Sequence, residues 1–231
     1  MTRITEPAEV VRRVVLALEA APPDPATLEL ALGLARRLDA ELAGTLVADE
    51  ALLRAASLPR MTELSAHPAL ERSLDRSALS RSLRLQAERL RELLARRAPA
   101  AGVRWSVSGT QPSLADLVTA PVAGELLVLG RVQRAPWRGE PSHAPAVLLY
   151  REGAQRLRAQ AMIERVFGAA AAGPASPVWE CLPFAGSAQA LPALRRRRPR
   201  LVMLPADLLV QDRGLLARLL EDLECPVMLQ R

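Results

Sequence analysis

The chain holds 231 residues, of which 50% are hydrophobic and 24% charged, a balance that excludes disordered and fibrous classes and leaves room for one large core or two small ones. The formal net charge of +6 is carried by arginine with no lysine at all, so a compositional bias toward arginine explains the excess as well as a polyanionic ligand does. Aromatic residues are only 3% of the chain, too few for the stacking platforms of single-stranded nucleic acid, and no apolar run approaches the ~20 residues that span a bilayer.

The opening Met1-Thr2-Arg3-Ile4-Thr5-Glu6-Pro7 lacks the apolar core of a secretory signal, so a cytoplasmic protein with neither nucleic acid nor membrane as partner is expected. Val14 to Leu18 is an unbroken apolar run and predicts a strand buried on both faces. Asp24 followed by Pro25 predicts a capped helix start, and Leu28, Ala31, Leu32, Ala35 and Leu38 then fall on one helical face. Leu42 to Ala48 is the next strand, and Glu50 to Asp75, with Pro59, His67 and Pro68, reads as irregular. A long helix follows with the stripe Leu79, Leu83, Ala87, Leu90 and Leu94, ended by Pro99. Val103 to Val107 alternates as a strand does, Ser113 caps a short helix carrying Leu114, Leu117 and Val118, and Glu125 to Gly130 is a further buried strand. Strands and helices alternating in this way call for a mostly parallel sheet with helices on its faces.

The remainder repeats that order in shortened form. Ala146 to Tyr150 echoes Val14 to Leu18, Trp179 matches Trp105, and Leu201 follows Trp179 at the interval by which Leu127 follows Trp105. A last helix, about Gly214 to Leu223, leads into Cys225-Pro226-Val227-Met228-Leu229, which matches Ala144-Pro145-Ala146-Val147-Leu148. The stretch from Val147 to Trp179 is far shorter than that from Val15 to Trp105, so the second part lacks a strand and a helix. Cys181 and Cys225 sit in separate apolar segments without neighbouring ligands, which predicts two packing residues rather than a metal site, a nucleophile or a disulfide.

The run Leu30-Ala31-Leu32-Gly33-Leu34-Ala35-Arg36-Arg37-Leu38-Asp39-Ala40-Glu41-Leu42 resembles the first helix of the universal stress protein family and its turn into the second strand. The strand ending in Leu129-Gly130 and the closing Cys225 to Leu229 resemble that family's last two strands. The resemblance covers nearly the whole chain and implies two α/β halves, 1–143 and 144–231, each of the adenine-nucleotide α-hydrolase-like kind, with the second abbreviated. It implies as well that Val147 to Tyr150 and Val227 to Gln230 are edges for self-association or for an internal pseudo-dimer.

Family members that bind ATP carry Asp-Gly-Ser after the first strand, then a glycine, two residues, a glycine, nine residues and Gly-Ser or Gly-Thr after the fourth. Glycines there let main-chain amides converge on phosphate. This chain has Glu19-Ala20-Ala21 and Glu152-Gly153-Ala154 at the first position; counting from Gly130 it has Gln133 and His143-Ala144, and counting from Pro205 it has Leu208 and Arg218-Leu219. Losing about three charge-assisted bonds of ~1.5–3 kcal/mol each removes most of the ~8 kcal/mol of a micromolar site.

The expectation is therefore a non-enzymatic stress-response or regulatory protein that acts through a protein partner and binds no ATP. The alternative is a sensor of nucleotide, ATP or AMP, or of a small anion, in a cleft formed by Glu19, Gly130 and the 131–143 loop. There Arg131, Gly139 and Ser142 are the further contacts, and Arg134, Trp137 and Arg138 supply guanidinium and aromatic groups. Arg195-Arg196-Arg197-Arg198-Pro199-Arg200 reads either as a cationic helix end that complements the helix dipole or as an anion or acidic-partner site. His67 and His143 stand beside prolines without triad partners, and no P-loop, dinucleotide fingerprint or paired metal ligands occur.

Overall fold

The computed structural model describes residues 10–19, 23–48, 50–58, 62–64, 71–73, 76–109, 113–119, 122, 124–130, 144–167, 179–212, 214–223 and 225–230. Strand β1 (Arg13–Leu18) turns Val14, Leu16 and Leu18 to one helical layer and Val15 and Ala17 to the other, as its unbroken apolar run requires. Helix α1 (Pro25–Leu38) returns across the first of these layers with its predicted stripe buried, and β2 (Glu41–Leu46) pairs with β1 in parallel. The stretch read as irregular holds helix α2 (Glu50–Ala55) and an antiparallel pair, β3 (Thr62–Leu64) with β4 (Glu71–Ser73). Helix α3 (Arg76–Ala100) runs 25 residues and continues one residue past Pro99. It is followed by β5 (Trp105–Val107), α4 (Leu114–Thr119) and β6 (Glu125–Leu129).

The second part contributes β7 (Ala146–Tyr150), α5 (Gly153–Phe167), β8 (Trp179–Pro183), α6 (Ser187–Arg197), β9 (Leu201–Pro205), α7 (Asp207–Gln211), α8 (Leu215–Asp222) and β10 (Val227–Gln230). Eight strands form one sheet in the order β5-β2-β1-β6-β10-β9-β7-β8. Neighbours run parallel throughout except at β6 and β10, which pair antiparallel with Met228 opposite Val128. The fold is thus a three-layer α/β/α structure whose strands from residues 13–129 fill one side of the sheet and those from 146–230 the other.

The cores divide by sheet face and not by half of the chain. One cluster joins α1, α3 and α5 to Leu16, Val128, Leu148 and Met228; the other joins α4, α6, α7 and α8 to Leu127, Val147, Val202 and Leu229. Leu16, Leu126, Leu127, Val128, Leu148 and Leu229 have no solvent exposure, and each such aliphatic side chain contributes about 1.5–3 kcal/mol relative to leaving it in water. Burial of this kind reaches across the β6–β10 seam on both faces, so the seam is held by packing as well as by its ladder.

The predicted edges require correction. β7 lies between β8 and β9, so Val147 to Tyr150 is interior, paired with β8 along its length and with β9 through Ala146 to Leu148. Val227 to Gln230 does form the joint between the two sides, but its partner across it is Leu126 to Leu129. The outermost strands are β5 and β8, and Trp105 and Trp179 open them at opposite ends of the sheet. Both tryptophans pack against the same core cluster, with the Phe167 and Trp179 rings 5.4 Å apart. Cys225 is buried and Cys181 half-buried, and the two are not joined in a disulfide. Among the described residues no helix is long and apolar enough to cross a membrane.

Candidate functional site

Open α/β sheets place ligands beyond the carboxyl ends of their strands, so the turns leaving β1, β6, β7 and β9 are the places to look. At the end of β1, Leu18 lies alongside Gly130 at the end of β6, and the Gly130 N–H donates to the Ala17 carbonyl at 3.4 Å. Glu19, which is exposed, follows the end of β1, and Gly130, which is buried, follows the end of the neighbouring β6. Arg131, Gly139 and Ser142 lie outside the described residues, as do Arg134, Trp137, Arg138 and both histidines.

The amino end of α1, beyond β1, is already capped. Asp24 caps the helix through Oδ1, which accepts from the Ala26 and Thr27 amides at 3.0 Å each, and its Oδ2 accepts from the Thr27 hydroxyl. The positive end of the helix thus faces a carboxylate from its own chain, an arrangement worth ~1 kcal/mol to the fold. An incoming phosphate would meet that negative charge instead of open amides.

The matching turn from β7 into α5 is filled in another way. The Gln155 side chain reaches back from inside the helix, and its Oε1 accepts from the Arg151 amide at 2.9 Å and the Glu152 amide at 3.3 Å. Gln155 is buried, and the Arg151 and Arg156 guanidinium groups lie over the rings of Phe184 and Tyr150. After β9 the chain enters α7 at once, with Leu208 and Leu209 buried against the sheet, and the Ala206 amide donates to the Gln230 carbonyl at 2.9 Å. Arg218, at the other position where the family's motif would carry glycine, donates to the Gly214 carbonyl at 3.1 Å and pairs with Asp212 at 2.6 Å.

The sequence reading missed a polar network at the opposite, amino-terminal ends of β1, β2, β5 and β6. Arg13 bridges Glu41 and Glu125 at 3.4 Å each, and the Ser106 hydroxyl donates to Glu41. That hydrogen bond, together with the Arg13 charge, holds the Glu41 carboxyl below its ordinary value although partial burial pushes the other way. Gly124, at φ +79°, shapes the entry to β6: a Cβ there would stand 2.8 Å from the Val10 carbonyl oxygen, and its own carbonyl accepts from the Arg12 amide at 2.8 Å. The available signal was a glutamate directly before each of two apolar strands.

The arginine run ends α6 as its cationic reading predicts, with Arg195, Arg196 and Arg197 in the last turn. Arg195 pairs with Asp222, and Arg197 pairs with Glu180 of β8 at 2.8 Å. Arg198 closes the helix in the left-handed conformation at φ 45°, its N–H donating to the Leu194 carbonyl at 3.0 Å. Arg200 is half-buried, and loss of hydration pulls its pKa down. Among the described residues there is no group of three or more His, Cys, Asp or Glu able to hold a metal ion.

No protein-family model and no curated protein matches the chain. Among solved structures the chain is similar to a universal stress protein from Archaeoglobus fulgidus DSM 4304, with a TM-score of 0.45 and 9% identity over 96% of each chain. It is also similar to a functionally unknown protein from Pseudomonas aeruginosa PAO1, with a TM-score of 0.41 and 12% identity over 95% of this chain and 92% of that one.

Proposed function

We propose that the chain is a non-enzymatic stress-response or regulatory protein of the universal stress protein type, cytoplasmic, built as two unequal halves, 1–143 and 144–231, and working through protein contacts without holding ATP. The observation that carries this reading is the pair of occupied turns. Asp24 after β1 and Gln155 after β7 already accept from the main-chain amides at these helix starts, which would otherwise be open to an anion. Two further facts support it: α7 with buried Leu208 follows β9 where a glycine nest would stand, and in each half the first strand is flanked by the next on one side and a later one on the other. With Trp179 matched to Trp105, β8 stands for β5 yet docks directly on β7, so the strand missing from the second half is the counterpart of β2. The β6–β10 seam takes the role of a subunit joint inside one chain.

The other reading, a nucleotide or small-anion sensor, draws on Glu19 and Gly130 following the ends of adjacent strands. A thermal-shift series with ATP and AMP at about 1 mM, well above a micromolar dissociation constant, separates the two. An unchanged melting temperature is expected. A rise that Glu19→Ala abolishes would overturn the first reading and establish the second.

A further inference from the structure

We infer that the corner formed by the carboxyl end of α6 and the edge strand β8 is a docking surface for an acidic, extended segment of a partner protein. The inference rests on the reading that this chain acts through protein contacts, and it names the chemistry of one such partner.

Charge is the first observation. Five arginines, Arg195 to Arg198 and Arg200, gather here, and the corner's ion pairs involve two carboxylates, Asp222 with Arg195 and Glu180 with Arg197. Among the described residues this leaves three more arginines than paired carboxylates in the corner. Arg196 and Arg198 are exposed, Arg200 is half-buried, and none of the three has an ion-pair partner among the described residues. A helix end needs less cationic charge than this to balance its dipole, and a partly dehydrated guanidinium gains most from an anion brought to it.

Conformation is the second. Arg198 occupies the left-handed position at which helices end most easily on glycine. Arg198 is exposed, so this left-handed cap places a further guanidinium at the solvent face of the corner.

The sheet edge is the third. Among the described residues β8 is the outermost strand on its side of the sheet, half-exposed over Trp179 to Leu182, and its outer row of main-chain groups faces away from β7. Arg197 is anchored to β8 through Glu180, so the cationic helix end and the open edge are held as one surface. An extended segment can add its main chain to such an edge while its carboxylates meet the arginines. Only a polypeptide can continue the β8 ladder with its own main chain, which makes an acidic polypeptide the better match than nucleic acid.

The test uses the full chain and fluorescence anisotropy of a labelled twelve-residue peptide alternating Asp and Val, with its Asn counterpart and a labelled DNA duplex as comparisons. The variant Arg196→Gln/Arg198→Gly/Arg200→Gln removes the three unpaired charges, and Arg84→Gln/Arg89→Gln/Arg91→Gln on α3 removes as many elsewhere. Binding of the Asp peptide at low salt is expected to weaken about tenfold or more in the α6 variant and on raising salt, and to stay within about twofold in the α3 variant. Absence of binding, equal loss in both variants, equal affinity for the Asn peptide, or tighter binding of the duplex through the same arginines would each overturn the inference. None of these outcomes bears on whether ATP binds, so it fails separately from the reading beneath it.

Discussion

Thr27 and Gly130 meet with no space between them: a Cβ at position 130 would stand 2.9 Å from the Thr27 methyl carbon and 3.3 Å from a methyl of Leu18. Both neighbours are fully buried, so neither can retreat into solvent. The glycine is what lets α1 settle over the seam between β1 and β6. Gly130→Ala is expected to cost about 1–3 kcal/mol, read as a lower urea midpoint with an unchanged slope. This packing role has a bearing on ligand studies, because weakened nucleotide binding in a Gly130 variant would report a displaced helix. An unchanged midpoint would show that α1 shifts freely and that Gly130 is required for something other than packing.

A second glycine gives a contrast within the same core. At Gly44 in β2 a Cβ would stand 2.8 Å from one methyl of Leu94 and 3.1 Å from one of Leu90, side chains with no exposure, whereas at Gly33 in α1 nothing lies within 4 Å. Gly44→Ala is expected to destabilise by about 1–3 kcal/mol through the displaced α3. Gly33→Ala is expected to stabilise by about 0.5–1 kcal/mol, because alanine loses less backbone freedom in a helix. Equal effects in the two variants, measured by chemical denaturation, would refute the close approach of α3 to β2.

Much of this architecture was legible because the deciding information is local. Asp24 with Pro25 announces a helix start by residue type alone, and Val14 to Leu18 announces a doubly buried strand by having no polar position. The β6–β10 seam was not legible. β7 and β10 are both short apolar runs preceded by proline, and nothing within either says which strands will flank it, since that depends on how every other strand is ordered. Gln155 was missed for a related reason: it caps from inside its helix, where glutamine is an ordinary surface residue, and only the bend of Arg151 and Glu152 gives it amides to accept from. Helix α5 was passed over although Ala159, Met162, Ile163 and Val166 carry its stripe, because arginines and glutamates break up the apolar signal. The strands β3 and β4 are too short for any period to register.

The polar network at the amino ends of the strands has a pH signature. The Glu41 carboxyl titrates below its ordinary value of 4.5 in the folded protein, first because Ser106 donates to it and then because of Arg13. A depressed folded value means that the contribution is complete above the unfolded value and is lost as pH falls through the folded one. Glu41→Gln is expected to lower stability by up to ~1 kcal/mol at pH 7, the range of a partly exposed pair, and the two proteins should converge as pH falls through the depressed folded value and wild-type Glu41 itself takes up a proton. Parallel pH profiles, with a constant gap down to acid, would show that the Ser106 and Arg13 contacts do not favour the charged form.

The seam itself sets how the chain unfolds. β10 sits between β6 and β9 and gives Val227 and Leu229 to one core and Met228 to the other, all at 1% exposure or less. Deleting residues 225–231 would remove these three side chains, about 5–9 kcal/mol of burial, against a total stability of roughly 5–15 kcal/mol for proteins of this kind. It would also bare the facing edges of β6 and β9, which then have unpaired main-chain groups toward one another across a gap one strand wide. The truncated chain is therefore expected to be unfolded or aggregated as a whole, first half included, although residues 13–129 keep every contact made among themselves. Circular dichroism and size exclusion read the result directly. A soluble truncated chain that retained a cooperative transition from its first half would mean that the halves are independently stable and that the seam only tethers them.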